Sequence, residues 1–579
     1  MHARIRLRLL DALARSQHQR TATRPLARLF ASSPPARRQA DSTFYVTQPI
    51  FYVNAKPHIG HLYTVVLSDT LKRYGDLQGK RTKLTAGTDE HGLKIQQAAE
   101  RAKMQPLEFC TAVSDRFRKL QIAATASSTD FIRTTDAKHR KAVEHFWNTL
   151  VEQGHIYKGS HSGWYAVSDE CFYTDKQIEE RVDPVTGVRA KYAIESGQPV
   201  EWVAETNYKF RLSAFRDRLI EWLETCPGAV YPEPRRNEVL AWLRAGLEDL
   251  SISRPRSRLQ WGIPVPNDPE HTIYVWVDAL VNYATADSYP WSAQQAPAFF
   301  PPDVQVIGKD IVRFHAVYWP AMLMAAGLPL PRRILAHAHW TMGAQKMSKS
   351  KGNVVDPFEA IDRYGADSLR YYMVRNGGIA DDGDYSADEV LVRYRKDLVG
   401  QLANLAARCL SPRLAPDLPA FASIAAQQLD TATVDVRDLD LQRTLQELPD
   451  AVRAHYDSAE FGRGLYLVFE ALAQANRYVS TNEPWAIVKK SDPESNERLQ
   501  VVLFYALESV RQAAIMLLPV MPEKAARLLD HLAISTSARL WTNTQFGSGW
   551  QYADGEAVSR PTENVATLFP KLPDTAPAK

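Results

Sequence analysis

Two histidines three residues apart stand in Pro57-His58-Ile59-Gly60-His61, and a second cluster, Lys346-Met347-Ser348-Lys349-Ser350-Lys351-Gly352-Asn353, sets three lysines among hydroxyls. Imidazole N–H groups can donate to phosphate oxygens, and a flexible ammonium can follow negative charge as a leaving group departs. Gly60, with no Cβ, leaves room for a base or ribose to lie directly on the backbone. Taken singly, each cluster also has a plain reading: a histidine pair is common on helices, and a lysine run is commonly a solvated basic loop. Their joint occurrence on one chain is what carries weight.

Positioning those groups takes an alternation of strands and helices. Residues 43–47 are short, aromatic and β-branched and read as a buried strand. Leu62, Val65, Val66 and Leu71 then recur at helical spacing, so the histidines sit where a strand turns into a helix that runs to Tyr74. In a doubly wound α/β sheet that turn is the ligand crevice, and the helix start offers free N–H groups and a positive dipole end to phosphate. Residues 81–85 read as a second strand, ending in the polar cluster Ala86-Gly87-Thr88-Asp89-Glu90-His91-Gly92, which again falls in the crevice. Helical periodicity covers 93–104 and 106–126. Two more strands are expected over 272–278 and 304–310, the second leading into Ile311-Val312-Arg313-Phe314-His315 and a helix with Trp319 and Met322. Between 158 and 250 the pattern changes to many Trp and Tyr, scattered Gly and Pro and few clear helices, as expected of a domain inserted into the fold. Residues 357–375 look like a helical linker. From about 400 onward, apolar stripes at Leu465, Val468, Phe469, Leu472 and Ala475, and at Leu499, Val502, Leu503, Ala506 and Val510, give a separate helix bundle.

The chain has 579 residues, 23% charged and 45% apolar, an ordinary globular balance with length for several domains. No apolar run approaches the ~20 residues that span a bilayer, so no membrane role is expected. Cys110, Cys171, Cys226 and Cys409 are far apart and fit a reducing compartment better than a disulfide scaffold. The charge is unevenly spread. Residues 1–40 hold nine arginines, no lysine and Asp11 as their one acid, a net of +8 against +4 for the whole chain, which leaves −4 for residues 41–579. Such an arginine-rich, acid-poor segment resembles a mitochondrial presequence, and the alternative is a basic RNA-binding arm.

Together, Pro57-His58-Ile59-Gly60-His61 and Lys346-Met347-Ser348-Lys349-Ser350 resemble the HIGH and KMSKS signatures of class I aminoacyl-tRNA synthetases, in the same order along the chain. The resemblance is closest to the methionyl-tRNA synthetases and covers nearly everything from residue 43 onward. It is carried also by Tyr45-Val46-Thr47-Gln48-Pro49-Ile50-Phe51-Tyr52-Val53-Asn54, Gly87-Thr88-Asp89-Glu90-His91-Gly92, Tyr274-Val275-Trp276-Val277-Asp278-Ala279-Leu280, Ile307-Gly308-Lys309-Asp310-Ile311-Val312-Arg313-Phe314-His315 and Asn482-Glu483-Pro484-Trp485. The 285 positions between His61 and Lys346 leave room for a small insert but not for the long editing domain of the relatives specific for Ile, Val and Leu. The fold implied is α/β: a Rossmann-type parallel sheet split by a small inserted domain, then an α-helical anticodon-binding bundle. The implied domains are a mitochondrial presequence (1–40), the first catalytic half (41–157), a connective insert (158–250), the second catalytic half (251–337), the KMSKS loop and linker (338–400) and the anticodon-binding bundle (401–579).

The resemblance further implies ATP with Mg²⁺, L-methionine and tRNA(Met) as partners, and a mitochondrial matrix location. His58 and His61 would donate to ATP phosphates, Lys346 and Lys349 would neutralise pyrophosphate, and Gly60, Gly308 and Asp310 would complete the ATP site. Asp89 would pair with the methionine ammonium, and Ile50, Tyr52, Trp276, Ala279, Tyr283, Ile311, Phe314 and His315 match the side-chain pocket, with Leu280 where some relatives carry proline. Asn404, Arg408 and Trp485 would meet the anticodon. Several relatives hold zinc in the insert through C-x-x-C knuckles. Here Cys171 lacks the paired thiolate, since Ala166 and Asp169 take the knuckle positions, and no structural zinc is expected. No appended C-terminal tRNA-binding domain is visible, so a monomer is expected. Two rival readings are a sister enzyme, such as a cysteinyl-tRNA synthetase, and a non-catalytic RNA-binding protein on the same fold. The missing zinc ligands argue against the first, and the intact His58, His61 and Lys349 against the second.

Overall fold

The computed structural model describes residues 42–572, apart from 168–170, 183–186, 188, 195, 293, 295, 344, 348–353, 415, 429–433, 491, 551–560 and 562 and the side chains of His161, Cys171 and Lys346. The arginine-rich leader and Lys349 lie outside the described residues.

Seven parallel strands form the central sheet: β1 (Thr43–Thr47), β2 (Phe51–Tyr52), β3 (Arg81–Asp89), β4 (Asp130–Arg133), β5 (Val230–Tyr231), β6 (Val304–Gly308) and β7 (Ile334–His337). Their order is β5-β7-β6-β1-β3-β2, with β4 also on β3. Register runs Val46 to Val304, Val46 to Leu84 and Gln305 to Ile334, and Tyr52 lies beside Asp89. Alternate strand residues feed different cores: Val304, Val306 and Leu335 join one apolar cluster, while Ile307, Ile334 and Ala336 join the other. Helices cover both faces, as a parallel sheet requires. They include α1 (Ile59–Leu77), α2 (Leu93–Ala102), α3 (Pro106–Ala123), α4 (Ala137–Glu152) and α5 (Val275–Thr285).

Helix α5 corrects the strand expected over 272–278. The strand there is Asp268–Ile273, paired antiparallel with Ser253–Pro255, and after the extended Tyr274 the chain turns helical. Of α5's eleven residues, ten are buried, and a helix apolar on every side has no 3.6-residue stripe to betray it. Trp276 is therefore helical rather than part of a buried strand.

Within the inserted segment, Ile156–Ala166 and Glu201–Phe210 form a long antiparallel ribbon. Two helices not evident in the sequence follow, Arg216–Thr225 and Glu233–Ala245, and between them β5 returns to the edge of the central sheet. Among the described residues, no group of three or more His, Cys, Asp or Glu is assembled to hold a metal ion, and no helix is long and apolar enough to cross a membrane.

Beyond β7 come α6 (Pro357–Tyr364) and α7 (Ala366–Asn376), then α8 (Asn404–Cys409), α9 (Leu439–Asp457), α10 (Phe461–Asn482), α11 (Pro493–Leu517) and α12 (Pro522–His531). The stripes read from the sequence are the buried ones: Leu465, Val468 and Leu472 on α10 and Leu499, Val502 and Val510 on α11 share one core with α1 and α7.

Candidate active site

The carboxyl ends of β1, β3, β6 and β7 deliver the clustered polar residues to one edge of the sheet, where strand order reverses around β1. His58 is the N-cap of α1. Its Nδ1 accepts from Gly60 N–H at 3.1 Å, and His61 Nδ1 accepts from His58 N–H at 3.1 Å, a reciprocal capping box built of two imidazoles. With Nδ1 accepting in both rings, the ring proton of each lies on Nε2. A Cβ on residue 60 would fall 2.9 Å from His58 Cε1, so glycine is what lets this ring fold over the turn. His61 stands edge-on to both rings of the stacked Phe51–Phe117 pair, with ring centroids at 4.9 and 5.2 Å.

The N–H groups at the helix start, expected to be free for phosphate, are taken. Ile59 N–H donates to Val355 O at 3.2 Å, Gly60 N–H to His58, and His61 N–H to His58 O. The imidazoles cap the helix themselves, each through its Nδ1. The Val355 bond also ties the segment after the lysine cluster directly to the start of α1. The backbone of Lys346 pairs with Thr341 in a hairpin after β7.

At the end of β6, Gly308 lets Asp310 curl back, since a Cβ there would stand 2.6 Å from Asp310 Oδ1. His339 Nε2 lies 3.1 Å from that same oxygen, and Asp382 accepts from His339 N–H and Lys309 Nζ. Thr64 on α1 contacts His337 Nε2 at 2.9 Å. Burial pushes the His337 pKa down to about 4, so the ring is neutral. None of His337, His339 and Asp382 carries a sequence signal of its own, although each is polar and close to a strand end or its rim.

The residues expected around a methionine side chain come together. The Trp276 and Phe314 rings stack at 3.7 Å and 10°, and His315 stands edge-on to Trp276 at 6.1 Å. Tyr283 Oη donates to His315 Nε2 at 2.7 Å, while His315 Nδ1 donates to Ile311 O at 2.9 Å. Burial pushes the His315 pKa down to about 4, which keeps it neutral and fixed in one tautomer. Phe314–Tyr318 is wound as a π-helix, a local widening that often marks functional sites. Ala279 is buried one turn beyond Trp276, Ile50 lies against Gly87, and Tyr52 packs on the cluster that holds Tyr283. The pKa of Tyr283 is raised chiefly by burial, with the charge of Asp89 adding, which sets Asp89 beside this pocket. Leu280 is buried within α5.

Sequence reasoning assigned no role to the polar groups beneath the pocket. Asp278 Oδ2 accepts from His91 Nδ1 at 2.6 Å and Oδ1 from His139 Nε2 at 2.7 Å, all three buried. Glu90 is gripped by Arg133 at 2.7 and 3.0 Å and by Thr135 Oγ1 at 2.6 Å. The one usable signal was Asp278 itself, a lone acid in an apolar run, which must find a partner when buried.

Asn404, Arg408 and Trp485 belong to the bundle. Asn404 and Arg408 open and nearly close α8, and Arg408 Nη2 donates to Asn476 Oδ1 on α10 at 2.8 Å. Trp485 is 37% exposed in a one-turn helix, Pro484–Ile487, that follows the left-handed Glu483. Arg498 fastens that turn, bonding both Asp438 and Asn482.

A family model described as tRNA synthetases class I (M) matches residues 44–410, and one described as the anticodon-binding domain of methionyl tRNA ligase matches 430–578. The probable mitochondrial methionine–tRNA ligase of Neurospora crassa is 47% identical over 86% of this chain and 80% of its own. The mitochondrial methionine–tRNA ligase of Homo sapiens is 44% identical over 86% and 85%. The crystal structure of Mycobacterium tuberculosis methionyl-tRNA synthetase bound by methionyl-adenylate superposes with a TM-score of 0.80 at 37% identity, covering 91% of this chain and all of that one.

Proposed function

The chain belongs to the class I methionyl-tRNA synthetases and is an aminoacyl-tRNA ligase, and from that premise we propose how its residues divide the two half-reactions. In the first, a methionine carboxylate oxygen attacks the α-phosphorus of ATP, the bond to the bridging oxygen breaks, and methionyl-adenylate and pyrophosphate result. In the second, a ribose hydroxyl at the 3′ end of tRNA(Met) attacks the acyl carbon and AMP leaves. Neither step needs a protein nucleophile, so catalysis is positioning plus charge stabilisation.

His58 and His61 donate from Nε2 to the ATP phosphates, with Gly60 giving the His58 ring room to lie over the turn. Gly308 and Asp310 hold the ribose. Lys346 and Lys349 neutralise the departing pyrophosphate, and Mg²⁺ enters bound to ATP as part of the substrate. Asp89 pairs with the α-ammonium, and Ile50, Tyr52, Trp276, Ala279, Tyr283, Ile311, Phe314 and His315 enclose the thioether. Sulfur–aromatic contacts there contribute ~0.3–1.5 kcal/mol each. Asn404, Arg408 and Trp485 read unpaired anticodon bases by forked donors and stacking.

The observation that carries the methionine reading is His315. Held neutral by burial, with both nitrogens already engaged, it presents an uncharged, polarisable face next to the Trp276–Phe314 stack. Such a pocket suits a thioether and penalises a charged side chain. We further propose that the connective segment 158–250, whose later part returns β5 to the central sheet, holds no structural zinc, that 338–400 and 401–579 serve as linker and anticodon-binding bundle, and that the enzyme works as a monomer. Residues 1–40 direct it to the mitochondrial matrix, in keeping with the mitochondrial relatives.

The test is ATP–pyrophosphate exchange followed by charging of a tRNA(Met) transcript. L-Methionine alone among the proteinogenic amino acids should support exchange. Exchange driven by cysteine, or by none of them, overturns the reading.

A further inference from the structure

Asp278 is 1% exposed and is the only charged side chain on α5. Its two oxygens are divided between partners on different elements. One accepts from His91, two residues beyond Asp89 at the end of β3, and the other from His139 on α4, whose Nδ1 lies 3.0 Å from Thr285 Oγ1 back on α5. One carboxylate thus joins the helix that carries Trp276, Ala279 and Tyr283 to the strand end that carries Asp89.

Helix geometry sets Trp276, Ala279 and Tyr283 along one face, with Asp278 about 100–160° away from them around the axis. Asp278 therefore faces the sheet and α4 rather than the pocket. Stability alone does not account for it, since a buried ion cluster is commonly no more stabilising than a well-packed apolar substitute. What such a cluster does supply is a single register, because both partners must be met at hydrogen-bond length.

We infer that Asp278 and His91 are positioning residues for methionine recognition, fixing the distance between the thioether pocket on α5 and the ammonium partner Asp89 on β3. This rests on the functional reading above. Methionine is gripped at both ends, so an error in that spacing weakens its binding in the ground and transition states alike, which raises KM and leaves kcat near its original value. The bond from His139 reaches the same carboxylate from α4 and does not span the two ends of the substrate.

The test compares His91→Ala, His91→Asn and His139→Ala in the full-length enzyme, with melting temperature measured alongside exchange kinetics. His91→Ala should raise the methionine KM by about tenfold or more, with kcat and the ATP KM within about twofold. Asparagine places its amide N–H near the position of imidazole Nδ1, so His91→Asn should restore the methionine KM to within about threefold of the parent. His139→Ala should lower the melting temperature while leaving that KM within about threefold. Should His91→Ala not fold, Asp278→Asn is read against the same expectations. If the His91 and His139 variants lose melting temperature alike and the methionine KM moves in neither, the triad is structural only and the inference is overturned. An unmodified enzyme without methionine-dependent exchange instead overturns the functional reading, and the inference falls with it.

Discussion

A histidine at a helix start can satisfy the helix with one nitrogen and a ligand with the other. His58 and His61 both do the first with Nδ1, and the phosphate contacts proposed for them use Nε2–H; the spacing of three is the reciprocal reach of a capping box. A lysine acts differently, since its charge can arrive late. As pyrophosphate departs, negative charge builds on it, and a contact made only then lowers the barrier without tightening substrate binding. Lys349→Ala should accordingly reduce kcat for adenylate formation by ~100-fold, or ~2.7 kcal/mol, with the methionine and ATP KM values moving far less. Pre-steady-state adenylate formation reads this directly. An ATP KM that rises in proportion to the lost efficiency, at unchanged kcat, would make the lysine a uniform binding contact. At this scale much of the candidate site was legible as a grouping, because His58, His61 and Asp89 stand in short motifs next to strand ends that the fold brings to one edge of the sheet. His139 was not, because its partner Asp278 lies 139 positions away and no local pattern links them.

Among the elements, legibility followed amphipathicity. Helix α10 buries a stripe and was readable as one; α11 is buried all round from Val502 to Leu517, and its length of 25 residues marks it as a helix, whereas the short α5, equally buried all round, read as a strand. The π-helical turn at Phe314–Tyr318 had no signal at all, although it re-aims His315 onto Tyr283. The one-turn helix after Glu483 was announced by Pro484, and its bracing by Arg498 makes Trp485 a ring held out on a fixed support. An exposed, well-supported ring is suited to stacking on an unpaired base. Trp485→Ala should therefore weaken tRNA charging by roughly ten- to a hundredfold, the loss of one stacked base at ~1–3 kcal/mol, while ATP–pyrophosphate exchange stays near the parent value. Exchange and charging falling together, with a lower melting temperature, would make Trp485 a packing residue.

At the scale of the whole molecule, one buried guanidinium joins the helices packed on the central sheet to the helical bundle, within an apolar core that the two share. Arg370 on α7 is 1% exposed and donates to Ala124 O at 3.0 Å, Val520 O at 2.8 Å and Pro519 O at 2.9 Å, and pairs with Asp69 on α1 at 2.7 Å. Nearby, Asp367 Oδ2 accepts from Lys524 N–H in the first turn of α12. The order of the domains could be read from motifs, but this joint could not, because in sequence Arg370 is one more cation on a helix and its partners lie 149 to 301 positions away. Burial works to raise the Asp69 carboxyl, yet Arg370, Arg73 and Ser127 outweigh it and its pKa is lowered. A carboxyl held below its unfolded value contributes stability that is present above the ordinary aspartate pKa of ~3.9 and is lost as pH falls through the folded value. Arg370→Ala removes one of the two guanidinium partners of Asp69, leaving Arg73 and Ser127 on it, and takes a donor from three backbone carbonyls, and should cost roughly 3 kcal/mol. Arg370→Lys should recover little, since one ammonium cannot reach acceptors spread over three segments as the planar fork does. Because the lost contacts tie α1 and the end of α3 to the segment before α12, the variants should melt below the parent in calorimetry, and the gap should narrow at low pH, where the parent also loses the Asp69 term. A single transition in Arg370→Ala at the parental temperature would show that the apolar core shared by α1, α7 and α10 holds the two halves together without the arginine.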